Sequence, residues 1–189
     1  MQERVQEEPR YRIDVERFVD HLSETLSIEL FAAETYLQYA QQTQDLEIRR
    51  TLQEFSADSD RHRVIVSNLI ADLGGRPNRL KEIATTTLAW GKGFMDISRR
   101  GRLGMLRNLQ DLLMAEYKDH ASWDMIKAVG EATNDQRVIE AANKVLPDEQ
   151  KHVDWLHGKV VDLAKETMIA VHPEVRPAGP PTGTPPATE

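Results

Sequence analysis

The sequence predicts an all-α protein, an up-down four-helix bundle made of two helical hairpins joined by a long crossover. Three observations carry that reading. Apolar residues recur at steps of three and four over four long stretches. A Gly-Gly-Arg-Pro run at 74–77 and three further glycines separate the second stretch from the third. The 189 residues, 40% apolar and only 6% aromatic, suffice for one sizeable core in a single domain.

The first helix is expected from about Ile13 to Gln44, where Val15, Phe18, Val19, Leu22, Leu26, Ala33, Tyr36, Leu37 and Ala40 mark one stripe. The second runs from about Glu47 to Leu73. Gly74-Gly75-Arg76-Pro77 ends it, because glycine takes up the left-handed cap and proline cannot continue a helix. Residues 78–102 read as the crossover: Leu80 to Trp90 could form a short helix, but Gly91, Gly93 and Gly101 break the pattern. The third helix spans about Leu103 to Ala132, and Asn134-Asp135 supplies an N-cap for a fourth that reaches about Thr167. Pro147 lies inside that fourth helix. A proline there removes a hydrogen bond and costs about 3 kcal/mol, yet the apolar phase continues across it, so a kink just before Glu149 is expected rather than a break. These limits give an N-terminal extension over 1–11, the bundle over 12–170, and a disordered tail over 171–189. From Pro173 onward six of the nine prolines fall among Gly, Thr, Ala and Glu, a composition that cannot bury a core.

Composition narrows the function. The absence of cysteine excludes disulfides, thiolate zinc sites and iron–sulfur clusters. A net charge of −7, from 31 acidic against 24 basic residues, argues against nucleic acid as a partner. The one basic cluster, Arg99, Arg100 and Arg102, reads as a solvated helix start. The opening residues do not have the pattern of a secretory signal and no apolar run approaches the roughly 20 residues of a membrane span, so a cytoplasmic protein without membrane contact is expected.

The chemistry sits toward the C-terminal end of the chain, within the fourth helix, in Glu149-Gln150-Lys151-His152. Residues three and four apart share a helix face, so Glu149 and His152 project together. Ala142, Val145, Leu146 and Leu156 fall on the same stripe, which turns the pair inward, where an unpaired charge is costly without a cation or partner. Glu116 lies 33 residues earlier in the third helix. The two hairpins form a weak internal repeat: Glu29 aligns with Glu116, and Ser59-Asp60-Arg61-His62 with Glu149-Gln150-Lys151-His152.

With Glu29-Leu30-Phe31-Ala32-Ala33-Glu34-Thr35-Tyr36 in the first helix, Leu73-Gly74-Gly75-Arg76-Pro77 closing the second, and Glu116 and Glu149-x-x-His152 in the others, residues 12–168 resemble the ferritin-like superfamily, of the bacterioferritin and rubrerythrin type. In such bundles a glutamate from each of two helices and a Glu-x-x-His from each of the other two hold a dinuclear centre. The resemblance implies metal-ligand roles for Glu29, His62, Glu116, Glu149 and His152, with one or two ions of iron or manganese per chain. It also matches Tyr36 to a tyrosine beside the metals, acting as a redox or hydrogen-bonding partner, although core packing explains an inward tyrosine equally well. Ser59 departs from the pattern, standing where a bridging glutamate is expected. Asp58, four residues before His62, is the candidate to supply the missing oxygen, through a helix shift or a bridging water. His120, one turn after Glu116, is either a further ligand or a buried histidine bonded to Glu116 or Glu149. His21, His157 and His172 are assigned to the surface or to caps, Trp90, Trp123 and Trp155 to core or interface anchoring, and Glu34 to solvent.

For function the resemblance implies a non-haem iron or manganese carboxylate protein, a ferroxidase or an oxidoreductase reacting with dioxygen or peroxide at an altered di-metal site. The alternatives are a metal-storage protein and a structural or interaction bundle that has lost the full centre. With no cysteine for a rubredoxin-type iron, an enzyme of this kind needs an external electron donor. A homo-oligomer, dimer or larger, is expected.

Overall fold

A computed structural model describes residues 11–77, 89 and 99–169 of the chain, and among these the regular structure is four long α-helices. They are α1 (Val15–Gln42), α2 (Leu46–Asp72), α3 (Gly101–Thr133) and α4 (Gln136–Met168). The extension over 1–10, most of the crossover, Trp90, His172 and the proline-rich tail lie outside the described residues. No described helix is long and apolar enough to cross a membrane.

The helix ends reflect side-chain chemistry. Asp14, Asp45 and Asp135 cap α1, α2 and α4 by accepting from first-turn amides, Asp45 from both Glu47 and Ile48 at 2.9 and 3.1 Å. Past α2, Gly74 at φ 75° lets its own amide reach Ala71 and that of Gly75 reach Ile70, each at 2.9 Å. This paired closure satisfies two orphan carbonyls and needs a left-handed residue at Gly74. Asn134 closes α3 the same way at φ 55°. Gly101, read as a breaker, instead opens α3 two residues before the expected start, at φ 79°. The helix of α4 continues through Pro147.

Loops of two or three residues force α1 against α2 and α3 against α4 as antiparallel hairpins, and the hairpins meet through α1 with α3 and α2 with α4. The core divides into two apolar clusters. One gathers Leu22, Leu26, Val66, Ile70, Trp123, Ile126, Ala142 and Val145, the other Tyr36, Leu52, Phe55, Leu109, Leu112 and Leu156. On every helix buried polar residues lie between the two clusters: Glu29, Ser59 and His62, Glu116 and Asp119, Glu149 and His152.

Candidate metal centre

That polar layer is closed to water. Glu29, Ser59, His62, Glu116, Asp119, Glu149 and His152 are each no more than 2% exposed. Glu29, His62 and Glu149 bring one donor atom apiece within 4.8 Å of one another, and Glu116, Glu149 and His152 do the same. Glu149 belongs to both groups. All five residues assigned by resemblance therefore converge, and the shared carboxylate stands between the two groups.

Both imidazoles are held in one orientation. His62 Nδ1 faces inward, 2.9 Å from Glu149 Oε1 and 3.4 Å from Glu29 Oε1, while its Nε2 faces Asp148 Oδ2 at 3.3 Å. The Nδ1 contacts have ion-pair length but not hydrogen-bond alignment, so the attraction there is Coulombic. His152 repeats the arrangement, with Nδ1 3.3 Å from Glu116 Oε2 and Nε2 3.1 Å from Asp58 Oδ2. The pairing is crossed: Asp58 precedes His62 by four residues but contacts His152, and Asp148 precedes His152 by four but contacts His62. An aspartate on the outer nitrogen fixes the tautomer and leaves the inner nitrogen free for a ligand. Asp58 thus backs His152 from outside, and its carboxylate does not enter either inner group. Arg61 joins Asp58 and Asp148 at the rim, reaching the latter at 3.4 Å.

Tyr36 is fully buried and donates a short hydrogen bond to Glu116 Oε1, so of its two readings the polar contact holds along with the packing. Trp123 does more than anchor the core, since its indole Nε1 donates to Glu29 Oε1 at 3.1 Å. Phe55 lies against the ring of His152 with centroids 4.0 Å apart. His120 is not brought into the cluster. It is half-buried with Nδ1 3.3 Å from Asp124, because Glu116 already stands at the edge of the buried stripe and four further residues turn about 40° past it. Its expected bond to Glu116 or Glu149 is thereby corrected. His21 is half-buried near the Ser122 carbonyl, His157 and Glu34 are exposed, and Trp155 packs edge-on to Phe55. Arg99 pairs with Asp111 at 2.8 Å rather than standing free in solvent.

Asp119 is the residue that sequence reasoning missed. It is 1% exposed, its Oδ1 has no hydrogen-bond partner, and it sits one turn after Glu116 on the buried stripe. With it the layer holds four carboxylates, the number that a four-glutamate site would have, the fourth contributed by α3 instead of α2.

Such crowding leaves its mark on proton affinity. Burial, then repulsion from Glu29, Glu149 and Glu116, raises the Asp119 carboxyl well above the ordinary range. Burial and the nearby Glu116 bring Glu149 up to about 8 against the offset from His62, and burial also raises Glu29. For the imidazoles burial alone works downward, but the carboxylates outweigh it and raise His62 to about 11 and His152 to about 9. Burial would lift Asp58 too, yet His152 and Arg61 draw it down to about 2. With all four carboxyl groups ionised, two imidazolium ions would not balance the layer, which, together with burial, is why Asp119, Glu149 and Glu29 hold protons so firmly in the absence of a cation. Glu29 Oε2, Glu149 Oε2 and Asp119 Oδ1 are buried without hydrogen-bond partners. Hard carboxylate oxygens together with imidazole nitrogens suit a divalent first-row cation, and the residues present fit one.

No protein-family model and no curated protein matches the sequence. Solved structures do match in shape. A dodecameric thioferritin, the bacterioferritin-related protein from Bacteroides fragilis, superposes with a TM-score of 0.61 at 18% identity, over 82% of this chain and 91% of that one. A ferritin-like, diiron-carboxylate protein from Bacillus anthracis str. Ames gives 0.58 at 20% identity, over 79% of this chain and 99% of that one.

Proposed function

The chain has the ferritin-like fold, and from that premise we propose that it is a non-haem di-metal carboxylate protein, iron-binding before manganese, that acts as an oxidoreductase toward dioxygen or peroxide. One observation carries the reading: two buried Glu/His groups share Glu149, and each histidine is backed by an aspartate on its outer nitrogen. In this reading Glu116, Glu149 and His152 hold one ion and Glu29, His62 and Glu149 the other, with Asp119 close by. The diiron-carboxylate description of the Bacillus anthracis protein supports iron.

When bound, such ions supply open coordination positions and electrons for reducing a small oxidant. The chain's own residues set the conditions. Asp58 and Asp148 keep the inner imidazole nitrogens unprotonated once a cation replaces the proton there. Trp123 holds one oxygen of Glu29 and leaves the other unpartnered. Tyr36 keeps its proton at Oη against Glu116, since burial and that carboxylate raise its pKa well above the usual value. The apolar clusters on either side exclude bulk water. Electrons beyond those of the metal come from an external donor, as the chain has no cysteine to hold a second iron centre.

Anaerobic loading with Fe(II), followed by mixing with dioxygen or peroxide, tests the reading. Iron oxidation should be fast in the wild type and fall to the rate of free Fe(II) in Glu149→Ala. Oxidation no faster than free Fe(II) in the wild type would remove the oxidoreductase reading.

A further inference from the structure

The repeat between the hairpins extends past the ligand positions. Tyr36 lies seven residues after Glu29, and Trp123 lies seven residues after Glu116. Both rings are fully buried, and each donates to the glutamate of the other helix, Tyr36 Oη to Glu116 Oε1 and Trp123 Nε1 to Glu29 Oε1 at 3.1 Å. α1 and α3 thus exchange aromatic donors across the layer, as α2 and α4 exchange aspartates. The two halves differ in how firmly the glutamate is held. Glu116 is engaged at both oxygens, by Tyr36 on Oε1 and by His152 Nδ1 on Oε2 at 3.3 Å. Among the described residues Glu29 has one hydrogen bond, that from Trp123; its Oε2 has none, and His62 Nδ1 at 3.4 Å is not aligned for one.

We propose, on the two-ion reading of the site, that Trp123 is a positioning residue for the ion of Glu29, His62 and Glu149, and for that ion alone. Its indole nitrogen only donates, so Oε1 of Glu29 stays engaged and Oε2 is the oxygen left to meet a cation. The ring belongs to the apolar cluster of Leu22, Leu26, Val66, Ile70 and Ile126, where close packing keeps the N–H from swinging aside. No second carboxylate stands behind Glu29 on its own hairpin, because α2 brings Ser59 to the layer, so a misdirected Glu29 would leave His62 as that hairpin's only donor. A hydrogen bond that orients a ligating carboxylate is worth about 10- to 100-fold in metal affinity.

Zn(II), which takes the same oxygen and nitrogen donors without redox chemistry, is the probe. Metal-free wild type, Trp123→Phe and Tyr36→Phe are titrated with it, with helical content as a check on folding. Trp123→Phe keeps a ring in the core and loses the N–H, and should weaken the second, weaker ion by about tenfold or more while the first changes less than about twofold. Tyr36→Phe should act on the first ion instead. Isotope-labelled indoles in the wild type give a reading that needs no variant: the N–H resonance of Trp123 should shift more with the second equivalent of Zn(II) than with the first. This resonance decides the matter if Trp123→Phe does not fold. Two ions bound, with Trp123→Phe weakening both alike or neither, would overturn the role of Trp123 and leave the two-ion reading standing. A Trp123 resonance that follows the first equivalent would do the same, whereas a wild type that binds no second Zn(II) would overturn both.

Discussion

The hairpin of α1 and α2 brings Glu29 and His62 to the centre of the bundle and places Ser59 where the internal repeat would put another glutamate. The hairpin of α3 and α4 brings Glu116, Asp119, Glu149 and His152. Negative charge and donor atoms are thus concentrated on one hairpin, although the outer aspartates remain symmetric, each backing the histidine of the other hairpin. The difference separates two requirements of a buried metal site. Orientation of the imidazoles depends on a crossed contact that neither hairpin makes alone. The number of buried carboxyl groups can be redistributed, with Asp119 one turn from Glu116 adding one to α3 where Ser59 adds none to α2. An ion held by Glu116, Glu149 and His152 should accordingly bind more tightly than one held by Glu29, His62 and Glu149.

Removing the shared residue breaks the comparison outright. Glu149→Ala takes a donor from both groups, so neither Fe(II) nor Mn(II) should bind. In the wild type, free metal at 100 to 1,000 times its dissociation constant should stabilise the fold by roughly 3 to 4 kcal/mol, seen as a rise in melting temperature that the variant does not show. Next come the outer aspartates. Asp58→Asn and Asp148→Asn keep shape but lose the charge behind one histidine, and each should weaken metal binding by about 10- to 100-fold. Asp58→Asn should act on the tighter ion and Asp148→Asn on the weaker, which metal titrations of the two variants can separate.

Ser59→Glu sharpens the asymmetry from the other side. By restoring the absent carboxylate it should raise affinity for the second ion by about tenfold, with little change in the first. Equal affinities for the two ions in the wild type would show that the hairpins are already balanced.

A separate effect is read on metal-free protein, in stability rather than in metal affinity. Glu149, His62 and His152 bind protons more tightly folded than unfolded, so the folded state holds more protons and stability falls as pH rises. For Glu149 the loss runs from its unfolded value near 4.5 to about 8, and for His152 from 6.5 to about 9. Asp58 has the opposite sign and contributes stability that is lost only as pH falls from 3.8 toward about 2. Melting temperature without metal should therefore decline between pH 5 and pH 9, windows set by these values, and the decline should change on metal loading because a cation then takes the place of the protons.

The four helices were legible because periodicity, the cap at Asn134-Asp135 and the Gly74-Gly75 stop are local signals, whereas the caps at Asp14 and Asp45 were not read. The Glu/His positions were legible because the hairpins repeat. Gly101 misled, since a glycine that breaks one helical pattern also tolerates the left-handed start of another. The crossed aspartates had a sequence signal, an aspartate four residues before each histidine, but four residues on one helix suggests a contact within that helix. Only the rotation of α2 against α4 turns each toward the opposite histidine. Asp119 and His120 show the same limit. Both lie about one turn after Glu116, and the sense in which α3 is turned about its axis decides that Asp119 enters the core while His120 faces Asp124.

The most direct test of a shared-carboxylate centre is a count of ions per chain. Protein stripped of metal and titrated anaerobically with Fe(II) should bind one ion tightly and a second more weakly, and Glu149→Ala should bind neither. A wild type that binds no iron, or a Glu149→Ala variant that keeps its full complement, would contradict the account.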